Sequence, residues 1–231
     1  MVEEIRELRQ RGVVVVPCSV RRVEDDARDD ETKRLIAETL YLQPIRIGFV
    51  IRASWLYLRR FSLLADLLKQ ALVQGGESPS RRMRALIHTW LGAYYAVQLD
   101  GRAVVHIHVH HGFFASWVAM VAARLLGISF SMTLHGSDLL LHRAYLDTKL
   151  QNCQFCLTIS EFNRQHLLEH HPGIDPDKVM VQHIGVDRTD GPIHRGSLVY
   201  SPMLITDTDG ASDCMIILTA GRLHPVKIMI F

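Results

Sequence analysis

The feature that most constrains the fold is a regular alternation of apolar and amphipathic segments between residues 104 and 184. Short apolar runs predict strands, and the amphipathic segments between them predict helices joined by short links. The predicted strands are Val104–Val109, Phe130–Leu134, Cys156–Ile159 and Val179–Ile184, and the predicted helices are 114–126, 139–150 and 161–170. Strands that alternate with helices are typical of a parallel sheet flanked by helices, so the sequence predicts an α/β fold.

The residues before this region are less regular. Residues 3–11 predict a helix, and the β-branched run Val13–Val16 predicts a strand covered on both faces. Residues 32–74 and 82–98 are predicted to be largely helical, with a break at Pro44.

A change in composition near residue 187 predicts the domain organisation. The first predicted domain spans residues 1–187. Residues 188–214 are polar and contain Gly and Pro, which predicts a linker or an irregular segment. Residues 215–231 open on the apolar run Met215–Ala220, which predicts one more strand. At roughly 150 residues per domain, the length of the chain leaves room for a piece of a second domain after the first.

Composition excludes several classes of protein. The 231 residues carry a formal net charge of +2, whereas a nucleic-acid-binding protein needs a concentrated basic face. The four cysteines are too few for a disulfide framework and have apolar neighbours, which predicts buried free thiols. The N-terminus lacks the basic start and apolar run of a signal peptide. We therefore expect a cytoplasmic protein without a nucleic-acid partner.

Polar residues and glycines follow each of the four predicted strands. They are His110, His111 and Gly112, then 135–138 (HGSD), Ser160 and Glu161, and 185–187 (GVD). In an open parallel sheet, ligands bind outside the carboxyl ends of the strands. The sequence therefore predicts a ligand site at this edge.

Histidine is unusually frequent, with 13 residues, and three of them alternate along one predicted strand. His106, His108 and His110 share one face of that strand because side chains repeat every second residue. They could form a zinc site of the kind found in hydrolases, with Asp138 as a further ligand and weaker support from the Cys-X-X-Cys pair at 153–156. They could equally be hydrogen-bonded histidines of a strand covered on both faces.

Two cations lie in the last predicted loop. Arg222 and Lys227 follow the strand Met215–Ala220 and could together hold a diphosphate, since Arg binds phosphate through a planar fork and Lys through a point charge. The alternative is a solvated loop with two exposed cations.

Taken in order, these segments resemble retaining glycosyltransferases of the family-4 type, which have the two-domain GT-B fold. The matching residues are 4–12 (EIRELRQRG), 106–110 (HIHVH), 126–138 (LGISFSMTLHGSD), 158–163 (TISEFN), 183–187 (HIGVD) and 220–227 (AGRLHPVK). Six motifs in the family's order, over most of the chain, make the resemblance specific. It is closest to the branch that builds exopolysaccharide and lipopolysaccharide-type glycans.

The resemblance implies a fold and an activity. The fold would be the Rossmann-like N-terminal, acceptor-side domain of GT-B. The activity would be transfer of a sugar, with retention, from a nucleotide-sugar donor to a glycan or lipid-linked acceptor in polysaccharide or cell-envelope glycan biosynthesis. The family uses no metal or other cofactor and has no settled protein nucleophile.

The resemblance also implies residue roles. His135 would be the catalytic residue and would contact the transferred sugar near its reacting carbon. Arg222 and Lys227 would neutralise the leaving nucleoside diphosphate, whose charge grows as the bond breaks. The substrate-binding residues would be His108 and His110 on the acceptor side, with Gly136, Asp138, Ser160 and Glu161 lining the cleft.

The sequence departs from the family pattern at both ends. The family's first strand and glycine-rich loop are not found before Glu4, and only four residues follow Lys227. These departures imply a truncated chain with little activity alone. Two other functions stay open: a metal-dependent hydrolase built on His106, His108 and His110, and a non-catalytic sugar-binding or partner-binding remnant.

Residues 45–61 combine cations with aromatic residues. Arg46, Arg52, Arg59 and Arg60 occur without an acidic residue, beside Phe49, Trp55, Leu56, Tyr57 and Phe61. Such a helix can bind peripherally to the cytoplasmic face of an anionic membrane. It can also pack on its own domain with the Arg head groups in water, which the sequence slightly favours.

Overall fold

The computed structural model describes residues 2–20, 30–73, 77–140 and 144–183. All of them belong to one compact unit, Met1–His183, whereas Ile184–Phe231 lie outside the described residues. The predicted linker and the predicted second-domain strand therefore fall beyond the part of the chain that the structure describes.

Helices and short strands alternate along the unit. The helices are α1 Val2–Gln10, α2 Asp30–Glu38, α3 Ile47–Arg59, α4 Phe61–Leu72, α5 Pro79–Leu99, α6 Phe114–Leu126, α7 Ser137–Leu140, α8 Leu146–Asn152 and α9 Glu161–His170. The strands are β1 Cys18–Ser19, β2 Leu40–Tyr41, β3 His106–His110, β4 Ser129–Leu134, β5 Cys156–Thr158 and β6 Val179–Val181.

The main sheet is parallel throughout, in the order β3-β4-β5-β6. His106 pairs with Ser129, Met132 with Cys156, and Cys156 with Val179. Helices connect the consecutive strands, so all four strands point the same way and their carboxyl ends form one edge. The predicted α/β fold, a Rossmann-like parallel sheet flanked by helices, is confirmed.

Helix α6 packs against β3 and β4, and the long helix α5 packs on α6. The two helices approach closely at Gly92, where an added Cβ would lie 2.5 Å from Val121 Cβ. Beside this contact, the fully buried Trp117 donates a hydrogen bond from its indole N–H to Thr89 Oγ1 at 2.9 Å. Gly127 ends α6 in the left-handed conformation at φ +70°, which allows the chain to turn directly into β4.

Two sequence predictions need correction. The run Val13–Val16 is not a strand, and Val14 is 91% exposed. A β-branched run becomes a strand only where a neighbouring strand and a packing surface receive it. Pairing instead begins at Cys18, opposite Leu40, in a short parallel pair. The helix predicted over 139–150 is divided between α7 and α8.

Cysteine burial agrees with prediction in part. Cys153 and Cys156 are buried free thiols, whereas Cys18 is free but exposed. Within the described residues, no helix combines the length and the apolar character needed to cross a bilayer.

Candidate functional site

The site lies at the carboxyl edge of the main sheet. His110 is the last residue of β3, His135 directly follows β4, and Ser160 lies two residues beyond β5. The parallel register therefore brings three of the sequence-predicted residues to one edge of the sheet.

A row of histidines and hydroxyls leads to this edge along β3 and β4. Its members are His106 and His108 of β3 with Ser129, Ser131 and Thr133 of β4, and we call it the histidine–hydroxyl row. Ser131 Oγ lies 2.7 Å from His106 Nε2 and 2.7 Å from His108 Nδ1. The outer contacts are His106 Nδ1 to Ser129 Oγ at 2.7 Å and His108 Nε2 to Thr133 Oγ1 at 2.9 Å. All four ring nitrogens thus have hydroxyl partners.

Burial keeps the histidines of this region neutral. Desolvation, together with a smaller effect of the neighbouring His110, lowers the pKa of His108 to about 4. The pKa values of His106, His110 and His135 are also lowered, in each case chiefly by desolvation. A neutral imidazole offers one donor and one acceptor, which suits a site that binds hydroxyl groups.

Glu4 fixes which nitrogen carries the proton on two of these rings. Its Oε2 lies 3.0 Å from His110 Nε2, and a carboxylate can only accept, so His110 Nε2 carries the proton and Nδ1 is an acceptor. His135 Nε2 lies 3.3 Å from that Nδ1 and must therefore donate to it. His135 Nδ1 is left as the acceptor, able to receive a hydroxyl proton from a ligand.

Asp138 connects the loop after β3 with the loop after β4. The side chain is fully buried, and its two carboxylate oxygens accept hydrogen bonds from Gly112 N–H at 2.7 Å and His135 N–H at 2.9 Å. Asp138 therefore acts on the site by holding the backbone of His135 in place. Among the described residues, Asp138 is not in the group whose ligand atoms lie close to those of His108 and His110, so the geometry does not support its sequence-based alternative role as a metal ligand.

Lys149 supports the same loop from α8. Its ammonium group is buried and donates to the carbonyl oxygens of Gly112, at 2.6 Å, and Phe113, at 3.2 Å. Desolvation lowers the pKa of Lys149 to about 7. Asp138 and Lys149 thus hold the N–H and the C=O of Gly112, which fixes the loop after β3.

The TISEFN segment, residues 158–163, lies near the HGSD segment, residues 135–138. Ser160 caps α9 by accepting a hydrogen bond from Asn163 N–H at 3.2 Å, and Glu161 pairs with Arg164 on the exposed helix surface. Gly136, at φ +93°, would place a Cβ 3.7 Å from the amide nitrogen of the buried Asn163. A Cβ at this distance would be in ordinary van der Waals contact, so it is the backbone conformation that constrains Gly136.

The carboxylate that lies close to the histidines, and could ligate a metal with them, is that of Glu4 and not that of Asp138. Within the described residues, Glu4, His108 and His110 offer ligand atoms that all lie within 4.8 Å of one another. Both nitrogens of His108 already face hydroxyls, so a metal would first have to displace one of them. Burial raises the pKa of Cys153 to about 11, and it raises the pKa of Cys156 as well, so both are neutral thiols in the metal-free fold.

Sequence reasoning missed Glu4, Lys149 and Asn163 as residues of this site. Asn163 falls inside the TISEFN motif and Glu4 opens the motif at 4–12, so both have a usable signal, whereas Lys149 lies in none of the motifs. Arg222 and Lys227, predicted to hold a diphosphate, lie outside the described residues.

Comparison with known protein families decides the classification. A family model described as Glycosyltransferase Family 4 matches residues 73–190, just over half of the chain. The chain belongs to glycosyltransferase family 4. The matched segment contains β3 to β6 and all of His108, His110, His135, Asp138, Ser160 and Glu161. No curated protein matches the chain.

Proposed function

We propose that this family-4 chain transfers a sugar, with retention, from a nucleotide-sugar donor to a glycan or lipid-linked acceptor in polysaccharide or cell-envelope glycan biosynthesis, in the cytoplasm. The observation that carries the proposal is the pair His110–His135 at the carboxyl edge of a parallel sheet that belongs to this family. Neutral rings with fixed donors and acceptors are suited to sugar hydroxyls.

In this proposal His135 contacts the transferred sugar near its reacting carbon. Its Nδ1 accepts from a sugar hydroxyl, while Asp138 and His110 fix the position and tautomer of the ring. His110, with His108 behind it, borders the acceptor, and Gly136, Ser160 and Glu161 contribute the remaining edge of the cleft.

Arg222 and Lys227, the two cations predicted to bind the diphosphate, would stabilise the charge that develops on the leaving group. As the bond to the sugar breaks, negative charge accumulates on the leaving nucleoside diphosphate, and Arg222 and Lys227 would neutralise it. With Arg222 and Lys227 in this role, the proposed reaction needs no metal ion or other cofactor.

The test is a transfer assay with the full chain in complex with a supplied second domain, because we expect little activity from the chain alone. The assay uses a panel of radiolabelled nucleotide sugars and a lipid extract as acceptor. We expect His135→Ala to lower the transfer rate by at least about a hundredfold, because a group positioned at the reacting carbon is lost. His170→Ala, at the exposed end of α9, should leave the rate unchanged, as should EDTA.

Three results would oppose the proposal. Equal rates for the wild type and His135→Ala would remove His135 from the catalytic role. Loss of activity in EDTA, with zinc bound at one ion per chain, would favour the hydrolase alternative. Sugar binding without transfer by the wild type would favour the non-catalytic alternative.

A further inference from the structure

Helix α3 presents an apolar face that the other described residues of its unit do not cover. Ile47 is 77% exposed, Ile51 65%, Trp55 65% and Leu58 67%. With about 100° of rotation per residue, these four side chains fall within about 80° of one another. Phe61, 50% exposed at the start of α4, continues this surface. We call these five residues the α3 apolar face.

The opposite side of α3 is firmly attached to the fold. Ala53 is fully buried, and Phe49, Val50, Leu56 and Tyr57 pack against the hydrophobic core. Ser54 accepts a hydrogen bond from Trp90 Nε1 of α5 at 3.1 Å. The helix is therefore anchored by one side and exposes large apolar residues on the other, which is more than the single scattered hydrophobes of an ordinary surface.

The surroundings of the α3 apolar face are positively charged. No Asp or Glu occurs between residues 39 and 65, whereas Arg46, Arg52, Arg59 and Arg60 do. On the helix, Arg52 and Arg59 fall about 40–60° beyond Trp55, on the border of the apolar face. Arg52 has an ion-pair contact to Asp100 of 3.5 Å, with both side chains more than half exposed, so water weakens this pair.

The apolar face and its bordering arginines together favour one kind of binding partner. A protein partner or a second copy would cover apolar residues but would have to supply acidic residues to match the arginines. An anionic bilayer supplies both requirements together, since acyl chains receive the apolar side chains and head groups receive the arginines.

We propose that the α3 apolar face, with its bordering arginines, binds the surface of an anionic lipid bilayer, with α3 lying in the plane of the interface. Trp55 would lie at the level of the head groups, where indole rings are favoured. This inference is independent of the proposed sugar transfer, because binding to lipid requires no substrate and is measured without one.

The experiment is co-sedimentation of the full chain with vesicles of phosphatidylcholine alone or mixed with phosphatidylglycerol. We expect binding to the mixed vesicles, little binding to phosphatidylcholine alone, and weakening as salt is raised. Trp55→Ser with Leu58→Ser should weaken binding by at least about tenfold, because two exposed apolar groups are lost. Arg59→Glu with Arg60→Glu should weaken it by a similar factor.

Matched controls separate these effects from altered charge, hydrophobicity or folding. Lys33→Glu with Arg34→Glu makes the same change in net charge on α2, where both side chains are exposed. Phe162→Ser removes a 65% exposed aromatic residue from α9. Both controls should bind like the wild type. Circular dichroism of every variant checks that the fold is retained.

A second measurement locates the contact directly. Trp55 is the exposed member of the three tryptophans, since Trp117 is fully buried and Trp90 packs against the core. Brominated lipid should quench tryptophan fluorescence in the wild type. The variant Trp55→Phe should still bind the vesicles but lose most of this quenching.

Four outcomes would overturn the proposal: no binding by the wild type, equal binding to both vesicle types, wild-type binding by both α3 double variants, or no quenching of Trp55. Dimers in solution that Trp55→Ser with Leu58→Ser converts to monomers would assign the face to a second copy. Failure of the transfer assay, with vesicle binding intact, would leave this inference standing.

Discussion

At the scale of single residues, the chemistry of the site depends on which group is the hydrogen-bond partner of each histidine ring nitrogen. His108 has hydroxyls on both nitrogens, so its ring is satisfied inside the fold. His110 has a carboxylate on one side and His135 on the other, and this order of partners fixes both tautomers. The protonation pattern of His135 therefore depends on Glu4, a residue of helix α1.

Removing Glu4 should release these tautomers. In Glu4→Ala, His110 Nε2–H loses its carboxylate acceptor, so we expect both tautomers of His110 and His135 to be populated. Long-range ¹H–¹⁵N correlation spectra of the imidazole nitrogens measure this directly. Glu7→Ala, which removes an exposed carboxylate bonded to Arg11 on the same helix, is the control. Unchanged imidazole shifts in Glu4→Ala would contradict the assigned tautomers.

At the scale of elements, the site rests on the packing of α5 on α6 behind β3 and β4. Gly92 is what allows the close approach, because Val121 occupies the space where its Cβ would be. Glycine lowers helix propensity by about 1 kcal/mol relative to Ala, whereas overpacking of a buried contact costs about 1–3 kcal/mol. The packing effect is the larger, which explains a glycine inside the longest helix.

We therefore expect Gly92→Ala to lower the free energy of unfolding by about 1–2 kcal/mol. Gly48→Ala is the matched change on α3, where nothing lies within 4 Å of the added Cβ. It should raise the free energy of unfolding by about 0.5 kcal/mol through helix propensity alone. Urea denaturation measures both. If both variants raised the free energy of unfolding, the close contact at Gly92 would not destabilise the Gly92→Ala variant, contrary to the prediction.

At the scale of the whole unit, buried neutral histidines make stability depend on pH. A histidine with a lowered pKa in the folded state binds fewer protons there than in the unfolded chain. Stability is then lost as pH falls from about 6.5, the ordinary pKa of the unfolded residue, towards about 4, the folded value for His108. His106, His110 and His135 shift in the same direction.

The variant His108→Gln should remove part of this dependence. Between pH 7 and pH 4.5 we expect the wild type to lose about 2–3 kcal/mol more stability than the variant, since glutamine does not titrate. Urea unfolding at the two pH values measures the difference. His170→Gln, at the exposed end of α9, should follow the wild type. Parallel losses in His108→Gln and the wild type would show that His108 does not carry the effect.

Much of the fold could be predicted because its signals are local. The helix predicted at 114–126 matches α6, since an apolar period of 3.6 and Gly127 define it without outside help. The strand at Phe130–Leu134 differs from β4 by one residue. Val13–Val16 has an equally strong local signal, yet it does not form a strand, because strand formation needs a partner that no local pattern specifies.

The sequence predicts that the site lies at the carboxyl edge of the sheet, but it does not predict the side-chain contacts within the site. His110, His135 and Ser160 were found because each follows a strand of a parallel sheet. Glu4 lies more than 100 residues before His110, and Lys149 more than 30 residues after it. Glu4 on α1 contacts the last residue of β3, and Lys149 on α8 contacts the loop after β3. Residue spacing does not encode these contacts.

The sequence by itself determined the class of this protein: a parallel α/β sheet of glycosyltransferase family 4, with histidines at its carboxyl edge. Periodicity, turn residues and ordered motifs are properties of short segments, so they can be read without the fold. The tertiary structure alone decided that the buried Asp138 holds the backbone of Gly112 and His135, and that Glu4 orients His110 and His135. It alone decided that the other described residues leave the apolar face of α3 exposed. Each of these depends on which segments pack together, which long-range contacts decide.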